Sequence, residues 1–450
     1  MIKKVTGAAL LVVLSVSVQA KVAPDKAAAL GTTLTPFGAE KAANADGSIP
    51  AWEGGLSAPP ACYKGKGTRY CDPYADDAVK FTITKANLDQ YKTKLTPGQI
   101  NLFAKYPDLY KMPVYPSRRS TAAPQPVYEA TKKNALSADL GGNGEALTGA
   151  ATGIPFPIPG NGMEVMWNHK VRYRTAGVQR WNNQFAVTVT GDYNMVKIKE
   201  DAWFVYSTPG ITPDKLNNKI IYFLQNTVDP PRLAGTLLLV HETMDQIKEP
   251  RGAWQYNPGQ RRLRRAPNVA YDNPGTASDG LRTNDQLDMF NGAMDRYEWK
   301  LVGKKELYVP ANSYKIHSDK YKYKDLMKKN VIAQDLTRYE LRRVWVVEAT
   351  LKKGINHIYK RRTFYVDEDN WQIVEADVYD SRDQLWRVQE AHTFQAYDLG
   401  ATLSSLEVIY DLQSARYLVM AANNEDSETV EKGFDEEFFN PANVAKQASK

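Results

Sequence analysis

From about Val165 to Met420, runs of apolar, β-branched and aromatic positions broken by turn residues form the pattern of long β-strands. In QFAVTVTGDYNMVKIK, residues 184–199, β-branched and aromatic runs flank Gly191-Asp192, the pattern of a hairpin. In WQIVEADVYDSRDQLWRVQEA, residues 371–391, Val374, Ala376 and Val378 alternate with Glu375 and Asp377, which predicts one dry face and one wet face. Further strands are expected at AWFVYS, KIIYFLQNT, GTLLLVHETM, RYEWKLVGKKELYV, YELRRVWVVEATL, YKRRTFYVD and SLEVIYDL, with turns at NPGQ, KKG, DEDN and DSRD. Helices are expected between them at TPDKLNNK, RTNDQLDMF and KYKYKDLMKK. About ten antiparallel strands in sequence predict a β-rich α+β fold with a strongly curved sheet or partial barrel.

Residues 21–164 read differently, as an extended arm. Pro- and Gly-rich segments such as SAPPACYKG and GGNGEALTGAATGIPFPIPGNG separate a few short helices. In FTITKANLDQYKTKL, Thr84 can cap a helix, with Ile83 and Leu88 as a hydrophobic staple. In LTPGQINLFAKYP, Thr96 caps and Pro97 takes the first helical position. Leu88, Tyr91, Ile100 and Phe103 need a surface to bury against, so the arm is expected to dock. The division places the arm at 21–164, the sheet at 165–422 and an acidic, aromatic tail with Phe434, Phe438 and Phe439 at 423–450.

The first twenty residues, MIKKVTGAALLVVLSVSVQA, have the two lysines, apolar run and small-residue end of a secretory signal peptide cleaved near Ala20. The run is shorter than the roughly 20 apolar residues of a membrane span. No cysteine follows the cut for lipid attachment, and the periplasm is the expected destination. Cleavage removes Lys3 and Lys4, and the formal charge falls from +7 to +5. So mild a charge, in that compartment, excludes nucleic acid as a partner. Cys62 and Cys71 are the only cysteines. In an oxidising compartment they are expected to close the loop between them as a disulfide. Its expected role is to pin a poorly structured stretch.

Candidate chemistry changes the picture little. There is no G-x-S-x-G elbow, Walker loop or C-x-x-C. HETMD, residues 241–245, begins like a zinc-protease motif but ends in Asp245 and falls in an expected strand. His169, His241, His317, His357 and His392 are scattered singly. No catalytic residue, metal site or cofactor is assigned. The acidic residues of the strands are read as a solvated surface. The 9 Trp, 26 Tyr and 13 Phe can fill a curved sheet or line a cavity within it.

LTPFGAEKAANADGSIPAWEGGL, DPYADDAVKFTITKANLDQY and GIPFPIPGNGMEVMWNHKVRY resemble the exported bacterial family DUF1329 over nearly all of the mature chain. The later segments WQYNPGQRRLRRAP, SDGLRTNDQLDMFNG and YKRRTFYVDEDNWQIVEADVYDSRDQLWRV are similar to the LolA/LolB-like superfamily of periplasmic lipoprotein carriers. That resemblance implies a half-open β-barrel with a helical lid around an apolar cavity. It also implies a carrier of a hydrophobic or amphiphilic small molecule, working with an RND-type inner-membrane exporter and an outer-membrane partner. The chain is about twice as long as those carriers and adds the proline-rich arm, which sets lipoproteins aside as the expected cargo.

The arginines of WQYNPGQRRLRRAP have two readings. On a rim strand they pair with Asp272, Asp279, Asp285 and Asp288; alternatively the inward ones meet the anionic head of an amphiphile. On the second reading the candidate ligand-binding residues are Trp254, Tyr256, Arg261, Leu263 and Arg265, with Trp345, Val347 and Tyr365 on later strands. The competing functions are a non-carrier assembly factor, whose barrel is filled by its own side chains, and a periplasmic hydrolase with an unfamiliar site.

Overall fold

The computed structural model describes residues 22–266, 269 and 271–448. The leader and its cleavage lie outside the described residues. The N-terminal region contributes α1 (Pro24–Ala27), β1 (Phe81–Ile83), α2 (Pro97–Lys105), β2 (Met112–Val114), α3 (Gln125–Ser137), β3 (Asp139–Gly141) and β4 (Ala146–Thr148), followed by α4 (Gly162–Val171). The first group of strands is β5 (Gly177–Trp181), β6 (Asn183–Val187), β7 (Tyr193–Trp203), β8 (Lys219–Asp229), β9 (Leu237–Thr243), β10 (Gly252–Asn257) and β11 (Arg262–Arg265). Next come β12 (Tyr297–Pro310), the short helices α5 (Tyr314–His317) and α6 (Tyr323–Leu326), and β13 (Tyr339–Leu351). The chain continues through β14 (Arg361–Asp367), β15 (Ile373–Tyr379), β16 (Leu385–Ala396), β17 (Ala401–Asp411) and β18 (Arg416–Ala422), then β19 (Val430–Glu431) and α7 (Pro441–Ala448).

All strands except the β3–β4 hairpin belong to one sheet. From β12 it runs through successive antiparallel neighbours to β18, which pairs with β6. β5 and β6 are two pieces of one strand, both in register with β7. From β7 the sheet continues through β8, β9 and β10 to β11. Among the described residues β11 and β12 pair with no common neighbour, so the sheet stays unclosed, and residues 271–296, the crossing segment, lead in the chain from the β11 edge to the β12 edge. This is the curved, half-open antiparallel architecture expected from the strand pattern, with one parallel pairing, β2 against β13.

The β12–β18 half is covered on both faces. On one, Val165 and Met166 of α4 pack with Met289, Phe290, Phe364 and Trp371. On the other, Leu102 and Phe103 of α2 and Met112 of β2 pack with Val388, Val408 and Tyr410. The wet face expected of β15 is therefore dry: Glu375 and Asp377 are both 0 % exposed. α2 lies over them, and its start matches the sequence reading, with Thr96 and Gln99 closing a capping box. The same Thr96 and Gln99 side chains hydrogen-bond Glu375. A Cβ at Gly98 would lie 2.1 Å from Asp377 Oδ1, so glycine is what permits the approach. Burial pushes the Glu375 carboxyl well above the usual range, with Glu390 and Asp377 adding to it.

Other expectations are shortened or moved. The helix expected after Thr84 is two 3-10 turns, because Asn87, not Thr84, supplies the local side-chain acceptor, taking the Thr84 N–H at 2.7 Å. RTNDQLDMF forms one 3-10 turn, Asn284–Gln286, and TPDKLNNK another, Pro213–Lys215. KYKYKDLMKK keeps only α6. These segments therefore supply little of the helix that a helical lid would need. Cys62 and Cys71 form the disulfide, with Cα atoms 6.1 Å apart. The loop it closes is docked, with Tyr63 and Tyr70 both donating to Asp398 at 2.7 and 2.6 Å.

Candidate ligand cavity

The β5–β11 half presents one face to the hollow of the sheet, and strand register decides what lies there. Val178, Ala202, Phe223, Val240 and Ala253 stand opposite one another in turn across β5, β7, β8, β9 and β10. They make one apolar row. On one side of it runs a polar row in which Arg180 faces Glu200, and Glu200 faces Gln225. On its other side Glu242 stands opposite Ile221 and pairs with Arg251. Because side chains alternate between the two faces, the intervening residues Trp203, Tyr222, Leu239 and Trp254 project away from the hollow.

In front of this wall lies an open cavity with about 1200 Å³ of space between atoms, solvent at its mouth included, of which about 100 Å³ can take the centre of a water molecule. Val178, Ala202, Phe223 and Val240 line it on the sheet side. Leu287 and Asp288 of the crossing segment line a second side, and Phe394 and Leu403 of β16 and β17 a third. A more polar space lined by Gln255, Asn257 and Thr276 adjoins it, and the two share Leu238, Val269 and Asn284.

Asp288 is the seam between the cavity and the filled half. Arg172 and Arg174 both pair with its carboxylate, and against the opposing effect of burial they hold it well below the usual range. Burial brings the neighbouring His169 down to about 3, so it is neutral. Its Nε2–H donates to the Asp288 carbonyl at 2.9 Å, and its Nδ1 accepts from the Ile373 N–H at 3.2 Å. Asp288 and Met289 both have left-handed backbone, φ +54° and +64°, conformations that side chains other than glycine adopt at a cost.

None of the eight sequence-predicted residues lines this cavity. Trp254 and Tyr256 stand opposite Arg265 and Leu263 on β10 and β11, on the face away from the hollow. There Tyr256 is buried with Phe439 and Val444 of the C-terminal segment, while Trp254 and Leu263 pack on the same cluster. Arg265 lies over the Trp254 ring at 5.4 Å, and Arg261 sits in the turn before β11 with φ +50°. Trp345 and Val347 belong to the core beneath α4, where Trp345 stacks on Trp371. The Tyr365 hydroxyl donates to Asp377 at 3.0 Å. The structure thus keeps two groups of these residues apart, one under the C-terminal segment and one in the filled half.

The four aspartates expected to pair with Arg261 to Arg265 are taken by other arginines. Asp272 pairs with Arg296, Asp279 with Arg416, Asp285 with Arg362 and Asp288 with Arg172 and Arg174. His241 of HETMD faces away from the hollow as well, its Nε2 2.9 Å from the Phe439 carbonyl. Among the described residues no group of three or more His, Cys, Asp or Glu could hold a metal, and no helix is long and apolar enough to cross a membrane. The cavity arginines Arg174, Arg180, Arg251 and Arg282 were not singled out by the sequence reading. Their signal is weak, since they are spread over more than a hundred residues and form no cluster in the sequence.

A family model described as "Protein of unknown function (DUF1329)" matches residues 82–445. An uncharacterized protein of Pseudomonas aeruginosa, PA3922, is 52% identical over 439 residues, 97% of this chain and 96% of the relative. Among solved structures, a domain from Vibrio parahaemolyticus described as outer membrane lipoprotein-sorting is similar, with 13% identity and TM-score 0.43 over 63% of this chain and 98% of that one. The LolA superfamily protein NE2245 from Nitrosomonas europaea is similar with 11% identity and TM-score 0.39, over the same shares, 63% and 98%.

Proposed function

The chain belongs to the DUF1329 family, and on that premise we propose that it is a periplasmic carrier that holds a hydrophobic or amphiphilic small molecule in the cavity between the β5–β11 wall and the crossing segment. One observation carries the reading. Four strands, β5, β7, β8 and β9, contribute an unbroken apolar row to a space that no described part of the chain fills. An alkyl chain moved there from water gains roughly 0.8 kcal/mol per buried CH₂, so non-covalent enclosure is enough to carry it. Titration with a fluorescent fatty-acid probe tests this. The protein is expected to bind about one probe per chain, and Ala202→Trp, which fills the row, is expected to abolish uptake while the fold persists. Undiminished uptake by a folded Ala202→Trp would place the ligand elsewhere.

A carrier needs a source and a destination, and the proposal extends to an RND-type inner-membrane exporter and an outer-membrane protein. Photo-cross-linking in cells from Arg264, exposed on the edge strand β11, is expected to trap such a partner. Capture of no envelope protein would remove this extension. The assembly-factor reading is supported by one feature, the filling of the β12–β18 half by α4 and Phe290. It requires that the protein bind no small molecule at all.

A further inference from the structure

Four arginines line the cavity, and three of them are paired: Arg174 with Asp288, Arg180 with Glu200 and Arg251 with Glu242. The fourth is different. Arg282 is 3 % exposed and, among the described residues, has no ion-pair partner. Its Nη1 and Nη2 each donate to one backbone carbonyl, of Thr283 and Thr276, both at 3.2 Å, and its Nε has no partner. A guanidinium carries five donors, so three are left free. Glu200, Glu407 and Asp285 are the acids whose fields reach it. Glu200 is engaged by Arg180, Asp285 by Arg362 and His357, and burial raises the Glu407 carboxyl to about 7. A buried charge with no counter-ion is costly unless something supplies one.

Resting on the carrier reading, we propose that Arg282 anchors the anionic head of a single-chain amphiphile, a carboxylate or phosphate, whose tail lies along the Val178–Ala202–Phe223–Val240 row. The free Nε–H and the remaining Nη hydrogens form the planar fork that grips two oxygens of such a head. Asn284, two residues on, lines the same space. The apolar row supplies the tail with a wall, and the paired arginines beside it supply no second free cation, so the site holds one head.

The test uses the full-length mature protein, stripped of lipid, and four probes with the same tail: hexadecanoate, hexadecyl phosphate, hexadecanol and hexadecyltrimethylammonium. At least one anion is expected to bind about tenfold or more tighter than hexadecanol, in keeping with a charge-assisted contact. Which of the two binds tighter identifies the head. Arg282→Gln is expected to bring anion affinity down to that of hexadecanol while leaving hexadecanol unchanged. Because Arg282 also holds two loop carbonyls, Asn284→Asp gives a second variant that leaves those bonds intact and puts a negative charge beside the head; it is expected to remove the anion preference. Equal binding of hexadecanol and both anions by the wild type, or an anion preference that survives both variants, would overturn the role of Arg282 and leave the carrier intact. Binding of none of the four probes would overturn the carrier reading itself.

Discussion

In the β12–β18 half of the sheet, α4 and the crossing segment press Val165, Met166 and Phe290 into the hollow, and Phe364 and Trp371 meet them with no exposed surface. In the β5–β11 half the corresponding face ends in Ala202, Phe223 and Val240, and what stands opposite is a cavity. Both halves are twisted antiparallel sheet of similar strand chemistry. They differ in which part of the chain reaches the concave side, and the seam between them is the Asp288 cluster of buried ion pairs. The lesson is that a curved sheet does not by itself decide between packing and binding; the connections do.

The largest expected effects test this contrast through packing. Phe364→Ala, in the filled half, is expected to cost about 3–5 kcal/mol. Phe223→Ala, on the cavity wall, should cost only about 1–2 kcal/mol because the space beside it is already unfilled. Urea unfolding of the two variants measures both, and equal losses would erase the distinction between the halves.

A second way to sharpen the contrast is pH. Burial raises the Asp377 carboxyl to about 7, so the folded protein keeps a proton that the unfolded chain, near 3.8, has lost. That group's contribution is fully present below about 4 and is lost as pH rises through 7. Asp377→Asn is therefore expected to match the wild type at pH 4 and to exceed it at pH 8, by about 1–3 kcal/mol. Asp285, on the crossing segment, has the opposite sign. Burial opposes ionisation, but Arg362 and His357 bring the carboxyl down to about 2, so its contribution is lost as pH falls from 3.8 through 2. Thermal melts across pH check both directions.

The cysteine pair gives a smaller effect. Replacing Cys62 and Cys71 by serine is expected to cost about 2–3 kcal/mol, the loop-closure value for a short loop, without changing ligand uptake. Equilibrium unfolding and the fluorescent-probe titration measure the two quantities. The smallest effect is expected at Arg265. Arg265→Ala should change stability by less than about 1 kcal/mol and leave uptake unaltered, because the side chain lies over Trp254 on the face away from the cavity.

These positions also show what was legible in the sequence. YELRRVWVVEATL gave β13 its observed bounds, Tyr339–Leu351, because a long β-branched run between turns has few alternatives. The disulfide was legible because only one pairing exists. The alternation of Val374 and Ala376 with Glu375 and Asp377 correctly indicated two faces, but it could not reveal that α2, some 280 residues earlier, covers the acidic one. Trp254 and Tyr256 lie on the face away from the cavity, a placement not legible for the related reason that parity fixes which residues share a face and not which face looks inward. α4 went unread as a helix because it is buried almost all round and so lacks an amphipathic stripe. Arg282 lay in a segment expected to be helical, where nothing marked it as the one cavity arginine with no ion-pair partner among the described residues.

Native mass spectrometry of the protein purified from its own cell envelope, with solvent extraction and identification of what is released, tests the central claim most directly. The expected result is a stoichiometric amphiphile with one chain and an anionic head, absent from a folded Ala202→Trp variant. A clean mass for the protein alone, together with no uptake of any lipid probe, would contradict the carrier account and leave the cavity without a role.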